Sequence, residues 1–180
     1  MRCAADSESL AGKIARFLEG EEAAAKARRS IKGETPQRFG ADAVKFVVRA
    51  GVETYIKVDD PAHPMHGFAL FAPKGAATRD FEIVARRNPA PAPLRPEAVS
   101  AGVENVGSFT VLCGAPGAPC LFARPVALTV PYAPPKSGTK GGAAMLVYDP
   151  VARRYETLQV VDTDEKRRLM TFLTSSISAD

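Results

Sequence analysis

The chain has 180 residues, 46% of them hydrophobic and 24% charged, with a formal net charge of +4 at pH 7. This composition excludes a wholly disordered chain, and the length leaves room for one well-buried core with an appended segment but not for two large domains. Lys and Arg are scattered among carboxylates rather than gathered in a basic block, so we expect no nucleic-acid partner.

A helix is predicted at the start of the chain, over residues 7–32. Ser7 is a suitable N-cap and Gly33 ends the pattern. The turn-rich segment GETPQRFGAD follows, so we place a domain boundary there, with residues 1–38 as a helical segment or linker and 39–180 as the main domain. Apolar residues recur at helical spacing at Leu10, Ile14, Phe17 and Leu18.

Short β-strands separated by Gly and Pro turns are predicted after this boundary. The chain has 15 prolines and 14 glycines, and the segment 88–98 reads as an extended, proline-rich connection. So many strands, with almost no second helix, predict an antiparallel β-sandwich preceded by one N-terminal α-helix. The predicted strands cover 43–51, 52–60, 67–73, 80–87, 103–113, 121–132, 143–150, 153–161 and 167–178.

The strand that organises the others is LFARPVALTVPY, residues 121–132. Val126, Leu128 and Val130 alternate with smaller or polar residues, which is the period of a strand with one face on a core. Pro125 is predicted to lie near an end of the strand, where no ladder hydrogen bond is lost. Sheet partners are therefore expected on both sides of this segment.

The cysteine and histidine content predicts neither a metal site nor a cofactor. No C-x-x-C spacing occurs, and His63 and His66, the only histidines, lie in a proline-rich loop. Cys113 and Cys120 flank the turn GAPGAP, so a disulfide and a pair of reduced cysteines both remain open. Cys3 leaves an odd number of cysteines.

Several short motifs follow one another along residues 43–180. They are FAPKGA (71–76) before the charged strand RDFEIVAR, GAPG (114–117) with FARPVALTVPY (122–132), LVYDPVARRYETL (146–158) and TFLTSSIS (171–178). Their order resembles a known family, the ZU-type domain of zonula occludens protein, ankyrins, netrin receptors and the PIDDosome scaffold. The resemblance implies a β-sandwich that binds proteins. Lys74 stands where the family usually has proline, and Ala133 replaces its histidine or aspartate.

The same resemblance supplies the only chemistry suggested for the chain. Relatives that cleave themselves carry H-F-S in the terminal strand, where the serine attacks the preceding carbonyl with help from the histidine. Here Ser176 takes the histidine position, Ile177 the aromatic position and Ser178 that of the nucleophile. Because a serine cannot replace a general base, we expect an uncleaved, non-catalytic domain; the alternative is an autoproteolytic domain with an atypical serine site.

Paired arginines are the candidate binding residues. If neighbouring strands align them, they form a basic stripe suited to an acidic partner surface or to lipid headgroups. Protection of strand edges by charge explains the same pairs without a ligand. The candidates are Arg86, Arg87, Arg153 and Arg154, with a third pair at Arg167 and Arg168.

The functional expectation is a non-enzymatic protein-interaction or scaffolding module within a larger multidomain protein. We expect a protein partner, no cofactor and no membrane span, since no apolar run reaches roughly 18 residues. The first twenty residues lack the hydrophobic stretch of a signal peptide, which favours the cytoplasm. An extracellular or envelope β-domain that binds carbohydrate or a surface protein is the second alternative, and an oxidised Cys113–Cys120 pair would favour it.

Overall fold

The computed structural model divides the chain into two compact units, residues 1–33 and 34–180. Only residues of the second unit are described below, and the predicted helix over 7–32 and Cys3 lie outside them. The described residues are 34–89, 94, 96–100, 104–114, 118–134, 144–149, 154–158 and 160–178.

This part of the chain is mainly β, as predicted, and its only described helix is five residues long. The elements are β1 (Gln37–Arg38), β2 (Ala43–Val48), β3 (Thr54–Lys57), β4 (Ala69–Ala72), β5 (Phe81–Arg87), α1 (Pro96–Ser100), β6 (Phe109–Cys113), β7 (Cys120–Pro131), β8 (Met145–Asp149), β9 (Arg154–Leu158), β10 (Val160–Asp164) and β11 (Leu169–Ile177).

The strands form three antiparallel sheets. One has four strands in the order β1-β2-β5-β6, the second has five in the order β10-β11-β7-β4-β3, and β8 pairs with β9 as a separate hairpin. Glu34 adds an isolated parallel bridge to Ile56, on the edge strand β3. The antiparallel pairing confirms the predicted sheet type.

The four- and five-stranded sheets contribute side chains to one hydrophobic core. Alternate residues of β3, β5 and the second half of β7 are buried, as the period of two requires, whereas all four residues of β4 are buried. Phe46 of β2 lies 6.1 Å from Phe68, which precedes β4, and Phe81 of β5 lies 5.2 Å from Phe122 of β7, measured between ring centroids. Both ring pairs join one sheet to the other.

The strand predicted to organise the domain does so. β7 pairs with β4 on one side and with β11 on the other. Val126, Leu128 and Val130 are 0%, 3% and 2% exposed, so the predicted buried face is confirmed.

Two local expectations were wrong. The proline-rich connection contains the short helix α1, which begins at Pro96 because the fixed φ of proline suits a first helical turn. The single strand expected over 153–161 is two strands, β9 and β10, which belong to different sheets. The segment GAPGAP leads from the edge strand β6 to β7, the central strand of the other sheet.

Candidate functional site at the end of the last strand

The ladder between β7 and β11 is interrupted close to the end of β11. Thr174 pairs with Val126, but Ser176 pairs with Leu121, so four residues of β7 lie opposite a single residue of β11. Such an irregularity bends the longer strand and leaves its extra residues unpaired. Pro125 lies in this bulge, within the strand rather than near its end, at a position where the ladder needs no N–H.

The bulge contacts the turn that contains FAPKGA. The backbone N–H of Ala123 donates to the carbonyl of Ala76 at 2.8 Å, and Nη1 of Arg124 donates to the carbonyl of Lys74 at 3.1 Å. Two of the sequence motifs that are distant along the chain therefore meet at one place. The motif TFLTSSIS lies on the other side of the same bulge, in β11.

The last described residues are held by both large sheets. Ile177 pairs with Cys120 of β7 and is 4% exposed. The carbonyl of Ser178 accepts a hydrogen bond of 2.8 Å from the N–H of Cys113, at the end of β6. The end of β11 is therefore fixed at a corner where the two sheets meet.

Cys113 and Cys120 form a disulfide, with their Cα atoms 5.5 Å apart. Both cysteines are buried, at 1% and 0% exposure. Of the two states that the sequence left open, a disulfide and a pair of reduced cysteines, the structure has the disulfide. It links the two large sheets rather than the ends of one hairpin. Neither cysteine is then available as a thiolate beside Ser178.

Neither histidine of the chain is near Ser178. A methyl group placed on Gly67, the residue after His66, would lie 2.7 Å from Cδ2 of Leu169, at the start of β11. Ser178 follows Leu169 by nine residues, which is about 30 Å of extended chain. His63 is buried instead within its own loop, where its Nδ1 accepts from the N–H of Met65 at 3.0 Å.

The backbone before Ser178 is extended and held by local hydrogen bonds. The non-glycine residue with a positive φ among the described residues is Arg168, at the opposite end of β11. Thr174 Oγ1 donates to the carbonyl of Ser176 at 2.7 Å and accepts from its N–H at 3.2 Å. These two bonds satisfy the backbone groups of Ser176 in the irregular segment.

Among the described residues, no strand pairing joins β5, which carries Arg86 and Arg87, to β9, which begins at Arg154. Arg86 is exposed on β5, whereas Arg87 donates from Nη1 to the carbonyl of Pro64 at 3.3 Å. Arg154 is the first residue of β9, in the separate hairpin, and Arg153 lies outside the described residues. The basic stripe stays a prediction. Of its members, Arg86 is exposed and is therefore accessible to a partner.

A surface cavity of about 240 Å³ adjoins the disulfide. Its acidic side chains already have partners: Asp80 accepts from the N–H of Ala50 at 2.8 Å, and Glu82 pairs with Lys45 at 2.8 Å. In the part of the chain described, no group of three or more His, Cys, Asp or Glu is placed to hold a metal ion. The residues lining the cavity are Arg79, Asp80, Phe81, Glu82, Cys113 and Gly114.

The sequence reasoning missed the outer edge of β6, which contributes Phe109 and Val111 to the margin of the core. The signal was the uncharged segment FTVLC, which lacks the Lys and Pro residues that usually protect an edge. None of the described helices is both long and apolar enough for a bilayer crossing.

A scan against models of protein families and a search of curated proteins find no match to this chain.

Proposed function

We propose that the described unit is a ZU-like β-sandwich that acts as a non-enzymatic protein-interaction module. The observation that carries the proposal is the position of Ser178. Its carbonyl is bound by Cys113, and both histidines lie toward the other end of β11. This position supports the proposal, because acyl transfer to a serine needs a nearby base to take its proton.

The meeting of three motifs supports the ZU-like assignment. FAPKGA, FARPV and TFLTSSIS are separated along the chain, yet backbone hydrogen bonds and strand pairing collect them at one end of the sheets. Motifs that form one structural unit are more specific than the same motifs read singly. The partner is a protein, because the described surface offers exposed strand edges and apolar side chains rather than an enclosed ligand site.

The intact mass of the purified full chain tests the absence of self-cleavage. We expect one species at the full-length mass for the wild type and for Ser178→Ala, during weeks of incubation at neutral pH. A wild-type fragment that begins at Ser178, absent from the Ser178→Ala variant, contradicts the proposal and supports the autoproteolytic alternative.

Reconstituted binding tests the interaction function. The full chain and a variant lacking residues 1–33, which retains β1 and the Glu34 bridge, are used as baits. Each captured protein is purified, and its affinity is measured by calorimetry. A partner that rebinds with defined stoichiometry supports the proposal. Captured proteins that fail to rebind in purified form contradict it.

The disulfide favours a second candidate function, that of an extracellular or envelope binding domain. Structural disulfides persist in oxidising compartments and are rare in the reducing cytosol. Cys113 and Cys120 are both buried, as expected of a structural rather than a redox-active pair. This observation opposes the expectation of a cytoplasmic location.

Thiol titration distinguishes the two locations. Protein from the native source is denatured without reductant in the presence of a thiol-blocking reagent. One reactive thiol per chain, at Cys3, supports an oxidising compartment, because three cysteines less one disulfide leave one. Three reactive thiols support the cytoplasm.

A further inference from the structure

The strand β6 has an unpaired edge. Asn88 donates its N–H to the carbonyl of Ser108 at 2.9 Å, and Gly114 donates to the carbonyl of Glu82 at 2.8 Å. In an antiparallel ladder, bonded pairs alternate with unbonded ones. The residues of β6 that bond to β5 are therefore the even-numbered ones, Thr110 and Leu112.

The odd-numbered residues of β6 direct their backbone groups away from β5. The N–H of Cys113 confirms this direction, because it donates to Ser178. Within the described part of the chain, no strand pairs with that side of Phe109 or Val111. Among the described residues, two N–H and two C=O groups of Phe109 and Val111 therefore have no strand partner.

The other edges of the two large sheets are shorter or partly protected. β1 is only two residues long and covers Val44 and Lys45 of β2, but not Val47. Glu34 covers β3 through a bond of 3.0 Å to the carbonyl of Tyr55, and β10 carries two aspartates. At β6 the described chain covers both flanks, because Ser178 bonds to Cys113 and the N–H of Ala133 donates to the carbonyl of Val106 at 2.7 Å. Between these flanks, the described residues place neither a charge nor a covering strand along Phe109, Thr110 and Val111.

The side chains around the β6 edge define the chemistry of its occupant. Phe109 and Val111 are half-buried at the margin of the core, so alternate residues of an added strand that face inward should be apolar. On the outer face Arg86 pairs with Thr110 and is exposed. A residue opposite Thr110 would lie about 10 Å from Arg86 at the backbone, a span that an acidic side chain and an arginine can close together.

A second copy of the chain is the less suitable occupant. A five-residue edge paired with its own symmetry mate buries far less than the 1,200 Å² or more of a stable interface, and it brings Arg86 toward its own copy. An extended segment from a partner meets the same backbone groups and adds the opposite charge.

We propose that the edge formed by Phe109, Thr110 and Val111 binds an extended partner strand with apolar residues facing inward and an acidic residue opposite Thr110. This inference rests on the proposed interaction function and assigns its docking site. The added strand extends the four-stranded sheet to five strands, antiparallel to β6.

Binding of a synthetic peptide to the full chain tests the proposal. The probe is acetyl-Ile-Glu-Ile-Thr-amide, titrated to 1 mM by NMR, and its length avoids Cys113, which is already bonded to Ser178. The variant Val111→Pro removes an N–H that β5 does not use, so the ladder within the sheet is retained. Its matched control, Val111→Thr, changes the side chain but keeps the N–H.

We expect the peptide to bind the wild type and Val111→Thr, and to bind Val111→Pro at least fivefold more weakly, since one hydrogen bond is worth about that factor. Methylation of the two isoleucine nitrogens of the peptide should weaken binding in the same way without altering the protein. Arg86→Glu should weaken this peptide and strengthen a version in which Lys replaces Glu.

Failure of the peptide to bind the wild type at 1 mM overturns the proposal. The proposal is also overturned if the peptide binds Val111→Pro and Val111→Thr equally and N-methylation has no effect on binding. A wild-type dimer that Val111→Pro abolishes overturns it too, because a second copy would then occupy the edge. A partner obtained by reconstitution that still binds Val111→Pro leaves the interaction function standing and shows that its docking site lies elsewhere.

Discussion

The backbone N–H of Cys113 donates to the carbonyl of Ser178 with an N···O distance of 2.8 Å, and this bond joins the edge of one sheet to the last residues of the other. The disulfide between Cys113 and Cys120 reinforces the same corner, because Cys120 is paired with Ile177. The end of β11 is therefore held by two hydrogen-bonding partners that are themselves covalently linked.

Removing the disulfide should lower the free energy of unfolding by about 2.5 kcal/mol. The cysteines are separated by seven positions, and closing a loop of this size restricts the unfolded chain by about that amount. The measurement is urea denaturation of Cys113→Ala/Cys120→Ala beside the wild type. A reducing agent should destabilise the wild type similarly and leave the double variant unchanged, whereas equal stabilities of all samples would contradict the disulfide.

The sequence was sufficient to locate the strands in which buried and exposed side chains alternate. Val126, Leu128 and Val130 reveal β7 because each side chain reports the face on which it lies. The sequence could not predict to which sheet each strand belongs. The break between β9, which ends at Leu158, and β10, which begins at Val160, leaves no mark in residue types.

The candidate site was predicted only in part, for a similar reason. The resemblance named Ser176, Ile177 and Ser178, but the bulge opposite them and the bond from Cys113 depend on contacts between distant segments. Pairing of Cys113 with Cys120 could not be deduced either, because spacing alone does not set the distance between two Cα atoms.

Restoring a histidine should not restore cleavage. Ser176→His supplies the missing base, but Ser178 remains held in the strand by the bond from Cys113 to its carbonyl. We expect the variant to keep its full-length mass over weeks at neutral pH. Ser176→His/Ser178→Ala is the control for cleavage elsewhere, and a fragment beginning at Ser178 in the single variant alone would show that the base was the sole missing part.

Alanine should be tolerated less well at Gly67 than at Gly51. Both glycines have a positive φ, 89° and 67°, but a methyl group at Gly67 would lie 2.7 Å from Cδ2 of Leu169, whereas that at Gly51 meets open space. We expect Gly51→Ala to cost about 1 kcal/mol of unfolding free energy and Gly67→Ala about 2 kcal/mol.

Truncation of the neighbouring side chain separates the two causes at Gly67. In a Leu169→Ala background the methyl group has room, so Gly67→Ala should then cost only about as much as Gly51→Ala, roughly 1 kcal/mol. Thermal or urea denaturation of the four proteins in this cycle measures the coupling. An additive cycle would mean that Leu169 moves aside at no cost.

Glycine should stabilise the turn between β10 and β11. Arg168 has φ 58°, a left-handed conformation that is unfavourable for a side chain with Cβ. Arg168→Gly should raise the free energy of unfolding by about 0.5–1 kcal/mol. Arg168→Ala removes the same charge while keeping Cβ, so it should give no such gain, and equal effects of the two variants would assign the change to charge rather than to backbone strain.

Alanine substitutions along β5 test whether its two faces meet different surroundings. Ile83 is fully buried between the sheets, whereas its neighbour Val84 is only half-buried, on the outer face between Lys45 and Leu112. Ile83→Ala should lower the free energy of unfolding by about 2–5 kcal/mol, because a cavity remains in the core. Val84→Ala shortens a β-branched side chain of the same strand but leaves no enclosed cavity, so we expect a loss below about 1 kcal/mol. Urea denaturation measures both, and similar losses would mean that the two large sheets do not pack on one shared core.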